Sequence, residues 1–178
     1  MWSWPKRRAR RRGPARSEVF WLSADLLDRT TDVLRQSRDG KIPHEGVAYW
    51  AGQHVGDGVL LTTCIAPAAI TTRGSFETSV CANAQVVAYL GAAQLELIAQ
   101  VHSHPGDFVG HSDGDDRRAL MPYEGFLSIV VPHYGREGMR PLNNCGVHLF
   151  DNSRFRRLTD AEIDMRFRVA DAFKDFRS

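Results

Sequence analysis

With 178 residues, 43% of them hydrophobic and 25% charged, the chain has room for one globular domain with a real core and not for two ordinary ones. No apolar run approaches the roughly 20 residues of a membrane helix, which excludes a transmembrane reading. The three cysteines, Cys64, Cys81 and Cys145, are odd in number, far apart and without a CxxC pair, so a disulfide scaffold and a four-cysteine zinc finger are both excluded and a cytoplasmic protein is expected.

The net charge of +2 conceals an asymmetry. Residues 1–16 hold seven basic side chains and no acid, leaving 16 basic against 21 acidic residues in the rest. The tail therefore makes the chain basic, and an argument from overall charge to nucleic acid would mislead. Residues 1–17 read as a disordered basic arm, because like charges repel and Pro5, Gly13 and Pro14 break regular structure. No apolar segment follows the arginines, so the arm is not a secretory signal. A single domain is expected over 18–178.

Ser23 caps a predicted helix whose Leu26, Leu27, Val33 and Leu34 form an apolar stripe. Residues 46–52 and 58–64 read as strands, with turn composition between them at 53–57. An alanine-rich helix is expected over 81–93, and buried strands over 96–102, 126–131 and 145–150. The segment from Val131 to Cys145, rich in Gly, Pro and Arg, reads as a mobile flap. Thr159 and Glu162 form a capping box opening an amphipathic helix to Phe176, with Ile163, Phe167, Ala170 and Lys174 on one face. Mixed strands and helices make the class α/β or α+β.

One stretch carries chemistry: His102-Ser103-His104-Pro105 at a strand end, then Ser112 and Asp115 at a helix entrance. Residues i and i+2 of a strand point to one side, so both imidazoles can hold one ion. Asp115, in the first turn of the next helix, is placed to be a third ligand. Two His and one carboxylate leave a tetrahedral zinc one open position, the pattern of a catalytic site.

The His-x-His-Pro pattern, with Ser eight residues and Asp eleven residues after the second His, resembles the JAMM (MPN+, JAB-domain) zinc metalloprotease family. The resemblance covers roughly residues 20–150. It implies a JAB/MPN fold, a curled mixed sheet flanked by helices and laid out like the cytidine deaminases. It also implies one catalytic zinc on His102, His104 and Asp115. Glu45, 57 residues before His102 and followed by the small apolar run Gly46-Val47-Ala48, matches the family's catalytic glutamate. Carried over, Glu45 is the general base and Ser112 the donor to the oxyanion. Aromatic Tyr49 and Trp50 depart from the family's smaller residues there, and Glu77 is the rival base.

The resemblance further implies a peptidase or isopeptidase that acts after the C-terminal glycine of a ubiquitin-like modifier. The implied partners are that modifier, its conjugates and the cognate activating and conjugating enzymes of a prokaryotic pathway, antiviral defence included. Nucleic acid and membrane are not expected partners. Two other readings are a non-catalytic MPN-type scaffold and a DNA-repair-type HxHP protein with the arginine arm on DNA. A nucleoside deaminase is not expected, because the PCxxC that supplies that family's cysteine ligands is missing. His111 reads as a loop residue, and the three cysteines as buried small hydrophobes.

Overall fold

A computed structural model describes residues 18–120 and 122–171. The basic arm and the last turns of the predicted C-terminal helix lie outside these residues. In chain order the elements are β1 (Val19–Ser23), α1 (Ala24–Gln36), β2 (Arg38–Asp39), β3 (Ile42–Pro43), β4 (Val47–Val55), β5 (Gly58–Ile65), β6 (Ala69–Thr72), β7 (Ser75–Thr78), α2 (Val80–Ala93), β8 (Glu96–Ser103), α3 (Asp113–Arg118), β9 (Leu127–Val131), β10 (Gly146–Asp151), β11 (Arg154–Arg157), α4 (Asp160–Arg166) and β12 (Phe167–Ala170). Short 3-10 turns at His133–Gly135 and Leu142–Asn144 punctuate the β9–β10 connection.

Eight strands form one mixed sheet in the order β11-β10-β9-β8-β4-β5-β1-β12. The pairs β8–β9, β1–β5 and β1–β12 are parallel, and the others are antiparallel. The fold is thus α+β with a curled mixed sheet, as the family resemblance implied. Both partners of β4 show a register shift around Ala51, and such irregularities increase local twist. Gly52 makes the bend possible, since any side chain there would overlap the backbone of Leu60.

Strand alternation sorts the core into two layers. One face buries Phe20, Leu22, Trp50, Val101, Ile129 and Val147 under α1 and α4. The other buries Val47, Tyr49, Phe76, Leu97 and Phe126 beside Val86 and Leu90 of α2. Ser23 caps α1 as predicted, accepting from the Leu26 amide at 3.1 Å. The fully buried Thr30 is satisfied twice, donating to the Leu26 carbonyl and accepting from the Trp50 indole at 2.7 Å.

Three expectations are corrected. The turn between β4 and β5 is tighter than its composition suggests: the strand continues to Val55, and Gly56 takes the left-handed conformation at φ 59°. The Val131–Cys145 segment is anchored, with Gly135, Met139 and Leu142 buried and the Arg35 guanidinium bonded to the Gly135 and Arg136 carbonyls.

The third concerns the C-terminal helix. Its capping box forms, yet α4 ends at Arg166, and residues 167–170 pair parallel with β1 as β12. Two forces favour the strand. Phe167 and Val169 suit a pleated surface, and pairing satisfies the backbone groups that β1 would otherwise expose. Phe167 then stacks on Phe20 with centroids 5.0 Å apart.

Candidate metal centre

The site forms where β8 ends. His102 is the penultimate residue of β8, and His104 follows the strand with its amide bonded to the Val131 carbonyl of β9 at 2.9 Å. The intervening Ser103 faces the opposite way. It fastens the next strand, because its hydroxyl accepts from the Gly46 amide at 2.9 Å while its own amide donates to the Gly46 carbonyl at 3.1 Å. That double tie sets Glu45 beside the histidines. Gly46 cannot be larger, since a side chain would press on Ser37 and the Leu34 backbone at the end of α1. Glu45 is itself tied to the β6–β7 hairpin through its amide and the Thr72 carbonyl at 2.8 Å.

Asp115 arrives on α3. Ser112 caps this helix in the predicted capping box: its hydroxyl accepts from the Asp115 amide at 3.3 Å, and Asp115 Oδ2 accepts from the Ser112 amide and hydroxyl, each at 2.8 Å. The box turns the carboxylate inward, and Asp115 is buried. Asp115 Oδ1 lies 3.3 Å from His102 Nε2, Asp115 Oδ2 lies 3.5 Å from His104 Nε2, and the two Nε2 atoms are 3.2 Å apart.

These distances test the donor set for a metal. Two ligand atoms each about 2.0–2.1 Å from a zinc ion, at a tetrahedral angle, stand about 3.3 Å from each other. The spacing of the two Nε2 atoms, and the distance from each to one oxygen of the Asp115 carboxylate, fall near that value. The imidazoles also present the right atoms. His104 Nδ1 lies 2.8 Å from the Phe108 carbonyl and donates to it, which directs the lone pair of Nε2 into the site. His102 Nδ1 is buried with no hydrogen-bond partner among the described residues, and its ring packs 5.3 Å from Phe76. The donor set of His102, His104 and Asp115 therefore fits a zinc ion. Among the described residues, His102, His104 and Asp115 are the one group of three or more potential ligands that converges in this way.

The electrostatics agree. Burial pushes the His102 pKa down, against the pull of Asp115, which keeps it in the neutral form a ligand needs. Burial would also depress His104, but bonds to Asp115 and the Phe108 carbonyl and the charges of Asp115 and Glu45 outweigh it and raise its pKa. Burial opposes ionisation of Asp115, yet the two histidines and the Ser112 backbone hold its carboxyl well below the usual range. The carboxylates thus favour positive charge at this point.

Glu45, His104, Ser112 and Asp115 line one open cleft of about 300 Å³ with Gly74, Pro105, Gly106 and Phe108. All five residues singled out in the sequence are accordingly in one place, with His102 buried behind His104. Glu77, the rival base, is exposed on β7 and does not line the cleft. Phe108 is 65% exposed at the mouth and stacks on the His104 ring with an interplanar angle of 9°. The cysteines differ from one another: Cys145 is buried and its thiol is pushed up to about 12, Cys64 is half-buried, and Cys81 is exposed, contrary to expectation. Sequence reasoning missed Ser103 and the β6–β7 hairpin. Their role rests on pairing between distant segments, which no local pattern signals.

No family model matches the chain. A protein of Sinorhizobium fredii described as the probable metalloprotease y4jG is 35% identical over 102 residues, which take in 55% of this chain and 62% of that protein. The chain thus spans about three-fifths of that relative's length. The solution structure of protein DSY2949 from Desulfitobacterium hafniense superposes with a TM-score of 0.63 at 14% identity, covering 88% of this chain and 96% of that one. A Salinibacter ruber protein, also solved in solution, gives a TM-score of 0.51 at 17% identity over 78% of this chain and 88% of its own. The metalloprotease relative and the assembled motif together support the JAMM/MPN+ resemblance. No helix among the described residues is long and apolar enough to cross a membrane.

Proposed function

We propose that this JAMM-type chain is a zinc-dependent peptidase that cleaves after the C-terminal glycine of a ubiquitin-like modifier, either in a precursor or in a conjugate. The observation that carries the hydrolytic reading is the convergence of His102, His104 and Asp115, with His104 and Asp115 lining the same cleft as the buried Glu45. Bound there, zinc would polarise the scissile carbonyl and make water a nucleophile near neutral pH.

The chain's own groups supply the rest. Glu45 takes a proton from the attacking water and returns it to the leaving amine. Ser112 Oγ, exposed at the cleft and bonded to Asp115 Oδ2, turns to donate to the carbonyl oxygen as negative charge develops there. Two lining residues, Gly74 and Gly106, have open space where a side chain would stand. Walls of that kind suit an extended glycine-ended tail, which can also pair with a strand edge. The partners under this reading are the modifier, its conjugates and the enzymes that attach it.

Zinc content and cleavage of a Gly-Gly-ended modifier fusion, measured together in wild type and Glu45→Gln, test the proposal. One zinc in both with cleavage in wild type alone is expected. Zinc without cleavage of any such fusion would refute the modifier reading, and absence of zinc would refute the hydrolytic one.

A further inference from the structure

The geometry points to His111 as a positioning residue that fixes the carboxylate arm of the metal centre by clamping the start of α3 to β9. The inference rests on the metal-site reading above and deepens it.

The two halves of the site come from different elements, the histidines from β8 and Asp115 from α3. Helix α3 has six residues, far too few to be stable alone. Its position must be imposed from outside. His111, immediately before the cap residue Ser112, reaches in both directions: Nδ1 lies 2.7 Å from Asp116 Oδ1 on α3, and Nε2 lies 2.6 Å from Ser128 Oγ on β9. A neutral imidazole satisfies both, donating from Nδ1 to the carboxylate and accepting the Ser128 hydroxyl at Nε2. The side chain is 9% exposed and wedged between His148 and Phe155, each 4.5 Å away by ring centroid.

The chain just beyond the helix is tied to the adjoining strand. Gln100 of β8 lies directly beside Ser128 in the sheet, and its Oε1 accepts from the Leu120 amide at 3.2 Å. Two neighbouring sheet positions thus anchor the chain before and after α3, at His111 and Leu120, with Asp115 between them. The Asp116–His111–Ser128 chain has the connectivity of a serine nucleophile relay. Ser128 is fully buried in mid-strand, however, so no substrate reaches it, and the chain acts as a strut.

Full-length protein is stripped with a chelator and titrated with Zn²⁺ against a chromophoric competitor, and with Co²⁺ followed by its visible d–d bands. His111→Ala is expected to weaken zinc binding about 10- to 100-fold and to alter the cobalt bands in metal-free protein that remains folded. His111→Gln, whose amide meets Ser128 as Nε2 does, is expected to recover part of the affinity. Wild-type affinity and spectrum in His111→Ala overturn the inference. If that variant does not fold, Ser128→Ala removes the same tie from the strand side and must show the same loss; undiminished affinity there also overturns it. Wild type that binds no metal sinks the metal reading together with this one, whereas wild type that binds zinc and cleaves nothing bears only on the substrate.

Discussion

Gly146→Ala is expected to damage the candidate metal centre without touching any of His102, His104 and Asp115. A Cβ at Gly146 would overlap the Val109 carbonyl oxygen and stand 2.9 Å from its carbon, with the His148 ring at 3.0 Å. Real Cβ contacts essentially never fall below 3.0 Å, so the Val109 carbonyl must withdraw by about an ångström. The loop gives way rather than the strand, because Gly146 opens the buried β10, registered against Val130 of β9. Val109 adjoins Phe108, whose carbonyl fixes the His104 ring, and lies two residues before His111. The displacement therefore reaches both halves of the site. Overpacking of this kind costs about 1–3 kcal/mol, and a misplacement of about 1 Å at reacting groups costs on the order of 100-fold in rate. Denaturant unfolding, zinc affinity by chelator competition and turnover on a Gly-Gly-ended fusion measure the three effects. A Gly146→Ala protein with wild-type affinity and turnover would show the loop to be uncoupled from the site and refute the reasoning.

Ser112→Ala should lose about 1 kcal/mol of stability with the cap and about 10²- to 10³-fold in kcat with the oxyanion donor; a normal kcat would remove the catalytic role and leave the cap. His148 is buried, which lowers its pKa from 6.5 to about 4, with His111 nearby adding to the effect. The folded state thus binds fewer protons than the unfolded one between these values, and stability is full above pH 6.5 and declines as pH falls toward 4, by on the order of 3 kcal/mol. Denaturant midpoints at several pH values should show a shallower decline in His148→Gln, and an unchanged slope would exclude this histidine as its source. The strand reading of 167–170 predicts opposite outcomes at two positions that one helical face would treat alike. Phe167→Ala should cost about 3–5 kcal/mol through its lost packing on Phe20, while Ala170→Glu, on an exposed strand residue, should stay within about 0.5 kcal/mol. A large loss at Ala170 would restore the continuous helix.

The candidate site was legible because its ligand-type residues are placed by local structure. His102 and His104 share a side through strand alternation, and Ser112 and Asp115 share a helix entrance through the capping box, so spacing along the chain already implied the convergence. Glu45 was singled out through the family resemblance and the small residues after it, and it lines the cleft. What places it is Ser103, the residue between the two ligands, whose bonds to Gly46 span 57 positions.

Local patterns in the chain account for the main helices, the central strands and the residue types of the candidate metal centre, since periodicity, caps and ligand spacing are properties of neighbours in the chain. Tertiary structure decided what depends on distant partners. Residues 167–170 became a strand because β1 had an edge to fill, the supposed flap became a packed connection against α1, and His111 became a strut because Ser128 and Asp116 meet it from two elements. Backbone edges and buried polar groups must find partners wherever the fold brings them, and that condition is not written in any one segment.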